Sequence, residues 1–247
     1  MYHQVGPFSG IKTHRATYVN NRQFELQMAF LHRFGYRVVP LSFLSQSEGS
    51  LEAIRYSKTV ALTFDDGYEN FIEYALPVLK RYNFPATVYV LTGMLGQPAQ
   101  WLAGSGHATP LLMSTDQLKY IQEQGIEIGL HGATHQRLSQ CGEEQLKQEI
   151  AGAKQELEKA LDADVRHFCY PYGDLSLSAL QQVKQAGFET ATTCIRGAAT
   201  SDDHPLLLPR KAISLGDSII GFWAKMHLSN KASANDTTLR SRLLAEI

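Results

Sequence analysis

Two adjacent carboxylates, Asp65 and Asp66, close the apolar run from Thr59 to Phe64, and Gly67 follows them. Like charges side by side repel, so such a pair is costly unless a cation or a proton relieves it. Further along, the chain carries His131-Gly132-Ala133-Thr134-His135. A carboxylate and two imidazoles form a ligand set for one divalent metal, here Asp66, His131 and His135. The spacing of the two histidines predicts a helical turn that brings both rings to one side. Asp65 is then left over as a general base, and the chemistry implied is metal-assisted hydrolysis. A bound metal would polarise a substrate carbonyl and lower the pKa of water from ~16 toward ~7. A positioned base contributes roughly 10²–10⁴ in rate. The developing oxyanion would be met by the metal and by a backbone N–H, with that of Tyr172, after the rigid Pro171, as the candidate. A departing amine also requires an acid. Zinc is the default for nitrogen and oxygen donors, while nickel, cobalt or iron fit the same set.

These residues must be carried by elements that bring them together. Arg22–Phe34 has apolar residues at helical spacing and stops at Gly35. Further helices are expected from Pro77 to about Tyr82, over Thr115–Gln124 and over Glu143–Leu161, the last with Leu146, Ile150, Ala153, Leu157 and Leu161 on one face. Strands are expected at Val38–Leu41, Thr59–Phe64, Ala86–Leu91, Ile126–Leu130, Val165–Cys169, Thr190–Cys194 and Lys211–Leu215. Strand–helix alternation of this kind predicts a parallel sheet curled into an α/β barrel. Asp65-Asp66, His131 and Tyr170-Pro171-Tyr172-Gly173 each follow a strand, so they should meet on the rim formed by the strands' C-terminal ends.

The bulk properties set limits on the partners. With 247 residues the chain can bury a sizeable core as one domain. A net charge of −1 offers no basic stripe for nucleic acid. No window resembles a transmembrane span of ~20 apolar residues. The beginning, Met1 to Pro7, does not read as a secretory signal, and the cysteines Cys141, Cys169 and Cys194 do not form a disulfide framework. A cytoplasmic protein is the expectation, with membrane association, or export after loss of a leader, left open; the oligomeric state is not legible.

Thr63-Phe64-Asp65-Asp66-Gly67, His131-xxx-His135 and Tyr170-Pro171-Tyr172-Gly173, in this order, resemble the polysaccharide deacetylase family (carbohydrate esterase family 4, the NodB homology domain). The resemblance implies a distorted (β/α) barrel of the NodB homology type, a zinc-like metal and hydrolysis of N-acetyl groups on amino sugars. It covers roughly Met1 to Leu215, and the domain reading is a catalytic unit over 1–218 with a C-terminal helical extension over 219–247. By resemblance, Asp65 is the catalytic base, Asp66, His131 and His135 are the metal triad, and Tyr172 helps form the oxyanion site. Two features depart from the common pattern. The arginine that many members carry before the proline-tyrosine motif is replaced by Cys169, and Arg210 resembles the arginine of one branch of the family, with Arg196 as its geometric competitor. The late Leu-x-His motif that usually supplies the acid is missing, since in His227-Leu228 the order is reversed. The early Tyr2-His3-Gln4-Val5 resembles the branch acting on poly-N-acetylglucosamine, which implies His3 as the acid.

Other readings stand beside these. The Asp65-Asp66 pair alone also fits a turn before a helix. Cys169 reads as a small core residue. Trp101, in the long segment from Thr92 to Met113, reads equally as a lid residue packed on its own loop or as a substrate contact. His14, His32, His107, His167 and His204 read as surface or structural residues, and Ile219–Trp223 as core packing, ahead of a dimer contact or a membrane foothold. The leading function is N-deacetylation of an amino sugar in a glycan or lipid-linked saccharide. A deformylase of a lipid-linked formamido sugar, a non-haem Fe(II) oxygenase and an inactive carbohydrate-binding module are the alternatives; the ligand order and the retained Asp65 weigh against the last two.

Overall fold

The computed structural model describes residues 1–44, 58–103, 109–228 and 232–246. His107 lies outside them. Among the described residues the central feature is a parallel sheet of β5 (Thr63–Phe64), β6 (Thr87–Val90), β7 (Glu127–Leu130), β8 (His167–Cys169), β9 (Thr190–Arg196) and β10 (Leu208–Arg210), in the spatial order β10-β9-β8-β7-β6-β5. Helices at Thr115–Glu123, Glu143–Leu161 and Leu177–Gln185 separate successive strands, as parallel connections require. The curled sheet is a distorted α/β barrel. Its wall continues at the N-terminus, where Tyr2 forms a parallel bridge to Phe64 beside β5. The carbonyl of Met1 accepts from Ile213 N at 2.9 Å, so the first residues lie between β5 and the chain that leaves β10.

Two small parallel pairs flank the sheet: β1 (Gln4–Gly6) with β2 (Tyr18–Asn20), and β3 (Arg37–Val39) with β4 (Thr59–Ala61). The expected single strand over Thr59–Phe64 is therefore two. It changes partner at Leu62, with β4 pairing to β3 and β5 to β6. The expected strand over Lys211–Leu215 is displaced toward the N-terminus, to Leu208–Arg210. Pro209 is tolerated there because an edge strand does not need every N–H for its ladder. Val38–Leu41 gives way after Val39 to Pro40 and a 3₁₀ turn over Leu41–Leu44.

The helices form where their caps and periodicity place them. Asn20 caps the helix Asn21–Arg33 by accepting from Arg22 N, and Ser114 and Gln117 form a reciprocal capping box at Thr115–Glu123. The face Leu146, Ile150, Ala153, Leu157 and Leu161 is buried as its spacing implies. That helix is not regular, however: a π turn over Gln148–Gly152 interrupts it. Toward the C-terminus, helices span Ile219–His227 and Ala234–Leu244. Of the apolar Ile219–Trp223 segment, Phe222 enters the core and Ile219 packs against it, while Ile220 and Trp223 face outward. Core packing thus accounts for only one side of that helix. Among the described residues no helix is long and apolar enough to cross a membrane.

One contact inside the barrel leaves no room for a side chain. A Cβ on Gly129 of β7 would lie 2.5 Å from Tyr89 Cδ1 and 2.9 Å from the His167 carbonyl oxygen. The fully buried Tyr89 ring crosses β7 at this point. Gly129→Ala is expected to destabilise the fold by about 1–3 kcal/mol, the usual cost of overpacking. Urea unfolding reads this directly, and an unchanged midpoint would contradict the close approach.

Candidate active site

The site is assembled at the C-terminal ends of the strands. Asp65 and Asp66 follow β5, His131 follows β7, Tyr170–Gly173 follows β8, and Arg210 ends β10. Along a regular strand, neighbouring side chains point to opposite faces. Asp66 escapes that alternation with a left-handed backbone, φ 74°, so both carboxylates turn toward the same rim. Gly67 continues the turn at φ 73°, where a Cβ would meet Val90 Cγ1 at 2.8 Å.

The two carboxylates have separate partners. Asp65, only 2% exposed, receives a two-pronged contact from Arg210: Nη1 donates to Oδ1 at 2.6 Å and Nη2 to Oδ2 at 2.7 Å. Arg210 is itself fixed, donating from Nε to the Thr193 carbonyl at 2.9 Å and from Nη1 to Thr63 Oγ1 at 3.1 Å. Burial works against the Asp65 charge, but the Arg210 charge and its hydrogen bonds prevail and hold the carboxyl at about 2. The expected competitor Arg196 is exposed at the end of β9. Arg210 is within reach because the strand bearing it runs three residues earlier than its sequence pattern suggests.

Asp66 faces the imidazoles. Its Oδ1 is buried without a hydrogen-bond partner, yet it lies 3.3 Å from His131 Nε2 and 3.4 Å from His135 Nε2. His131 Nδ1 donates to the Cys169 carbonyl at 2.7 Å, which directs Nε2 at Asp66. Burial disfavours a charge on His131, but Cys169 and Asp66 outweigh it and raise its pKa. Burial pulls His135 down to about 4 despite Asp66, leaving its ring neutral near pH 7. The two histidines do not share a helical turn. They flank a loop in which Gly132 has φ 87° and His135 φ 60°, and these left-handed residues preclude a helix. His135 Nδ1 has no hydrogen-bond partner; its ring instead packs against Trp101 and Tyr172 in tilted contacts, each with its centroid 4.3 Å away.

A divalent cation fits Asp66, His131 and His135. Their ligand atoms lie within 4.8 Å of one another, and one oxygen with two imidazole nitrogens is a donor set such ions take. Asp65, His131 and Cys169 are as close together, but Arg210 donates to both Asp65 oxygens and, at 3.1 Å, to Cys169 Sγ. A cation there would face that fixed positive charge.

The remaining sequence candidates surround this centre. The Tyr2 bridge to β5 brings His3 Nε2 to 3.9 Å from Asp65 Oδ2. Burial lowers the His3 pKa, with Asp66 and Asp65 opposing. Pro171 is buried, and Tyr172 follows it with φ 58°, half-exposed at the rim beneath the guanidinium of Arg137, whose Cζ is 4.4 Å from the ring centroid. Trp101 lies within a loop cluster with Tyr68, Met94, Leu102 and Leu112 as well as against His135, so self-packing and a place at the site are both present. Two participants were not legible beforehand. One is the Cys169 carbonyl, since a backbone acceptor leaves no mark in side-chain types. The other is Tyr68, buried with an unpartnered hydroxyl, although its position directly after Asp65-Asp66-Gly67 was a usable signal.

The polysaccharide deacetylase family model matches residues 54–191. The chain belongs to that family. A poly-beta-1,6-N-acetyl-D-glucosamine N-deacetylase of Staphylococcus aureus is 26% identical over 220 residues, covering 84% of this chain and 71% of that protein. The deacetylase PplD of Streptococcus pyogenes, solved in complex with acetate, superposes with a TM-score of 0.76 at 26% identity and covers 92% of this chain and 96% of its own. IcaB of Ammonifex degensii gives a TM-score of 0.73 at 25% identity, over 91% and 94% of the two chains.

Arg210→Met strands Asp65 as an unpaired buried charge and is expected to cost about 3–5 kcal/mol near neutral pH. Because the folded-state pKa of Asp65 is depressed, its stabilisation is present above the unfolded value near 4 and fades as pH falls toward 2. The stability gap between wild type and variant should therefore close over that window in denaturant titrations. A gap independent of pH would contradict the pairing.

Proposed function

We propose that this protein is a metal-dependent hydrolase that removes the N-acetyl group from an amino sugar in a glycan or lipid-linked saccharide. The observation that carries this reading is the division of labour between adjacent carboxylates: Asp65 is gripped by Arg210, while Asp66 faces two imidazoles. Asp66, His131 and His135 would hold one divalent ion, zinc by default, whose chemistry when bound is to polarise an amide carbonyl and acidify water.

The protein's own groups do the rest. Asp65 accepts the proton of the attacking water; Arg210 keeps its carboxylate ionised and aimed. His3, whose Nε2 lies 3.9 Å from Asp65 Oδ2, donates a proton to the departing amine. The backbone N–H of Tyr172 meets the oxyanion from a left-handed conformation, a strained geometry of the kind found at functional sites. The half-exposed Tyr172 and the partly buried Trp101 offer apolar faces to a sugar ring. Every group given a role lies within residues 1–218, and the helices Ile219–His227 and Ala234–Leu244 take no part in the chemistry.

The test is acetate release, from poly-β-1,6-N-acetylglucosamine and chitin fragments and from a lipid-linked acetamido sugar, by protein of known metal content. Chelation is expected to abolish release and added zinc, cobalt or nickel to restore it; formate from a formamido sugar, without acetate, would reassign the acyl group. Asp65→Asn should reduce turnover by at least ~10²-fold with metal still bound, whereas His131→Ala should lose the metal. Substantial turnover by Asp65→Asn would reject Asp65 as the base.

A further inference from the structure

We propose that Glu149 is a positioning residue that clamps the His131–His135 loop into its metal-binding shape. The inference rests on the metal reading above and extends it to a residue sixteen positions away on another element. Glu149 sits in the π turn Gln148–Gly152 and is only 4% exposed. A carboxylate so buried is costly unless hydrogen bonds replace its water. Among the described residues these come from one loop: Ala133 N and Thr134 N donate to Oε2 at 2.9 and 3.0 Å, and the Thr134 hydroxyl donates to Oε1.

The other side of the loop is tied by the turn after β6. Thr92 N donates to the Gly132 carbonyl at 3.3 Å and Gly93 N to the Ala133 carbonyl at 3.0 Å. The loop's carbonyls thus face β6 and its amides face Glu149. These contacts hold two left-handed residues, Gly132 and His135, with the second supplying a ligand atom. A left-handed histidine persists only where its surroundings fix it. The tilted ring contacts with Trp101 and Tyr172 orient the ring but do not fix the backbone that carries it.

Position 149 lies three residues after Leu146 and four before Ala153, both on the helix's buried face, so the Glu149 side chain points inward beside Ile150. Core packing alone would be served by an apolar residue at 149; three converging donors require an acceptor.

The experiment compares Glu149→Leu and Glu149→Gln with wild type in two readouts. The first is zinc affinity of the apo-protein by competition with a chromogenic chelator. Glu149→Leu keeps the volume but loses the acceptor, and should weaken zinc binding by about 10–100-fold, the usual cost of removing an outer-shell support. Glu149→Gln should stay within a few-fold of wild type, because its carbonyl can accept both amides while its amide group donates to Thr134 Oγ1. The second readout is hydrogen exchange of the Ala133 and Thr134 amides in metal-free protein, expected to be at least ~10-fold faster in Glu149→Leu. Unchanged zinc affinity or unchanged exchange in folded Glu149→Leu overturns the proposal. If that variant does not fold, Thr134→Val decides: weaker zinc binding supports the clamp and wild-type affinity overturns it. If wild type itself binds no zinc, cobalt or nickel, the metal reading fails, while the exchange experiment still tests the clamp.

Discussion

Two carboxylates on consecutive residues at the end of a buried strand are the constraint around which this protein is arranged. In a low-dielectric rim their repulsion is far stronger than in water, and neither can remain ionised without its own counter-charge. The structure separates them electrostatically while keeping them adjacent. Asp65 is neutralised from β10 by a guanidinium that has no freedom left to move. Asp66 is turned by a left-handed backbone toward His131 and His135. One carboxylate is thereby held in a fixed orientation, and the other presents to two imidazoles an oxygen that lacks a hydrogen-bond partner.

The barrel makes this separation possible. Its strands are parallel, so their C-terminal ends share a rim, and each contributes one part of the site from a different stretch of chain. β5 and β10 lie at opposite ends of the hydrogen-bonded order, and curling of the sheet brings Arg210 across to Asp65. The Tyr2 bridge to Phe64 uses the remaining edge of β5 and delivers His3 to the same place. Opposite them, the Cys169 carbonyl at the end of β8 orients His131, and the turn after β6 supports the loop that ends in His135. The ring of supports explains how several left-handed, non-glycine residues, among them Asp66, His135 and Tyr172, can coexist within one small region.

Much of this was legible in the sequence, for identifiable reasons. The strand preceding Asp65 and the long helix over Glu143–Leu161 carry strong local periodicity, and parallel topology then implies where polar residues after strands must meet. The elements that escaped are those with little local signal: β1 and β2, three residues each, and the helix Leu177–Gln185. The Asp65–Arg210 contact joins residues 145 positions apart. Residue types alone could not establish it; a resemblance to one branch of the family suggested the partner, while the displaced strand reading left its reach open. The histidine loop was misread as a helical turn because four-residue spacing is ambiguous, and glycine at 132 was the overlooked hint. The π turn in the long helix left no trace in the apolar pattern, since the same residues are buried either way.

The most direct measurement is anomalous X-ray scattering from crystals of the metal-loaded protein, recorded on both sides of the metal's absorption edge. The account expects one strong peak bonded to a carboxylate oxygen of Asp66 and to Nε2 of both His131 and His135, with Asp65 outside the coordination sphere and still paired with Arg210. A peak ligated by Asp65 and Cys169, or Arg210 swung away from Asp65, would contradict it.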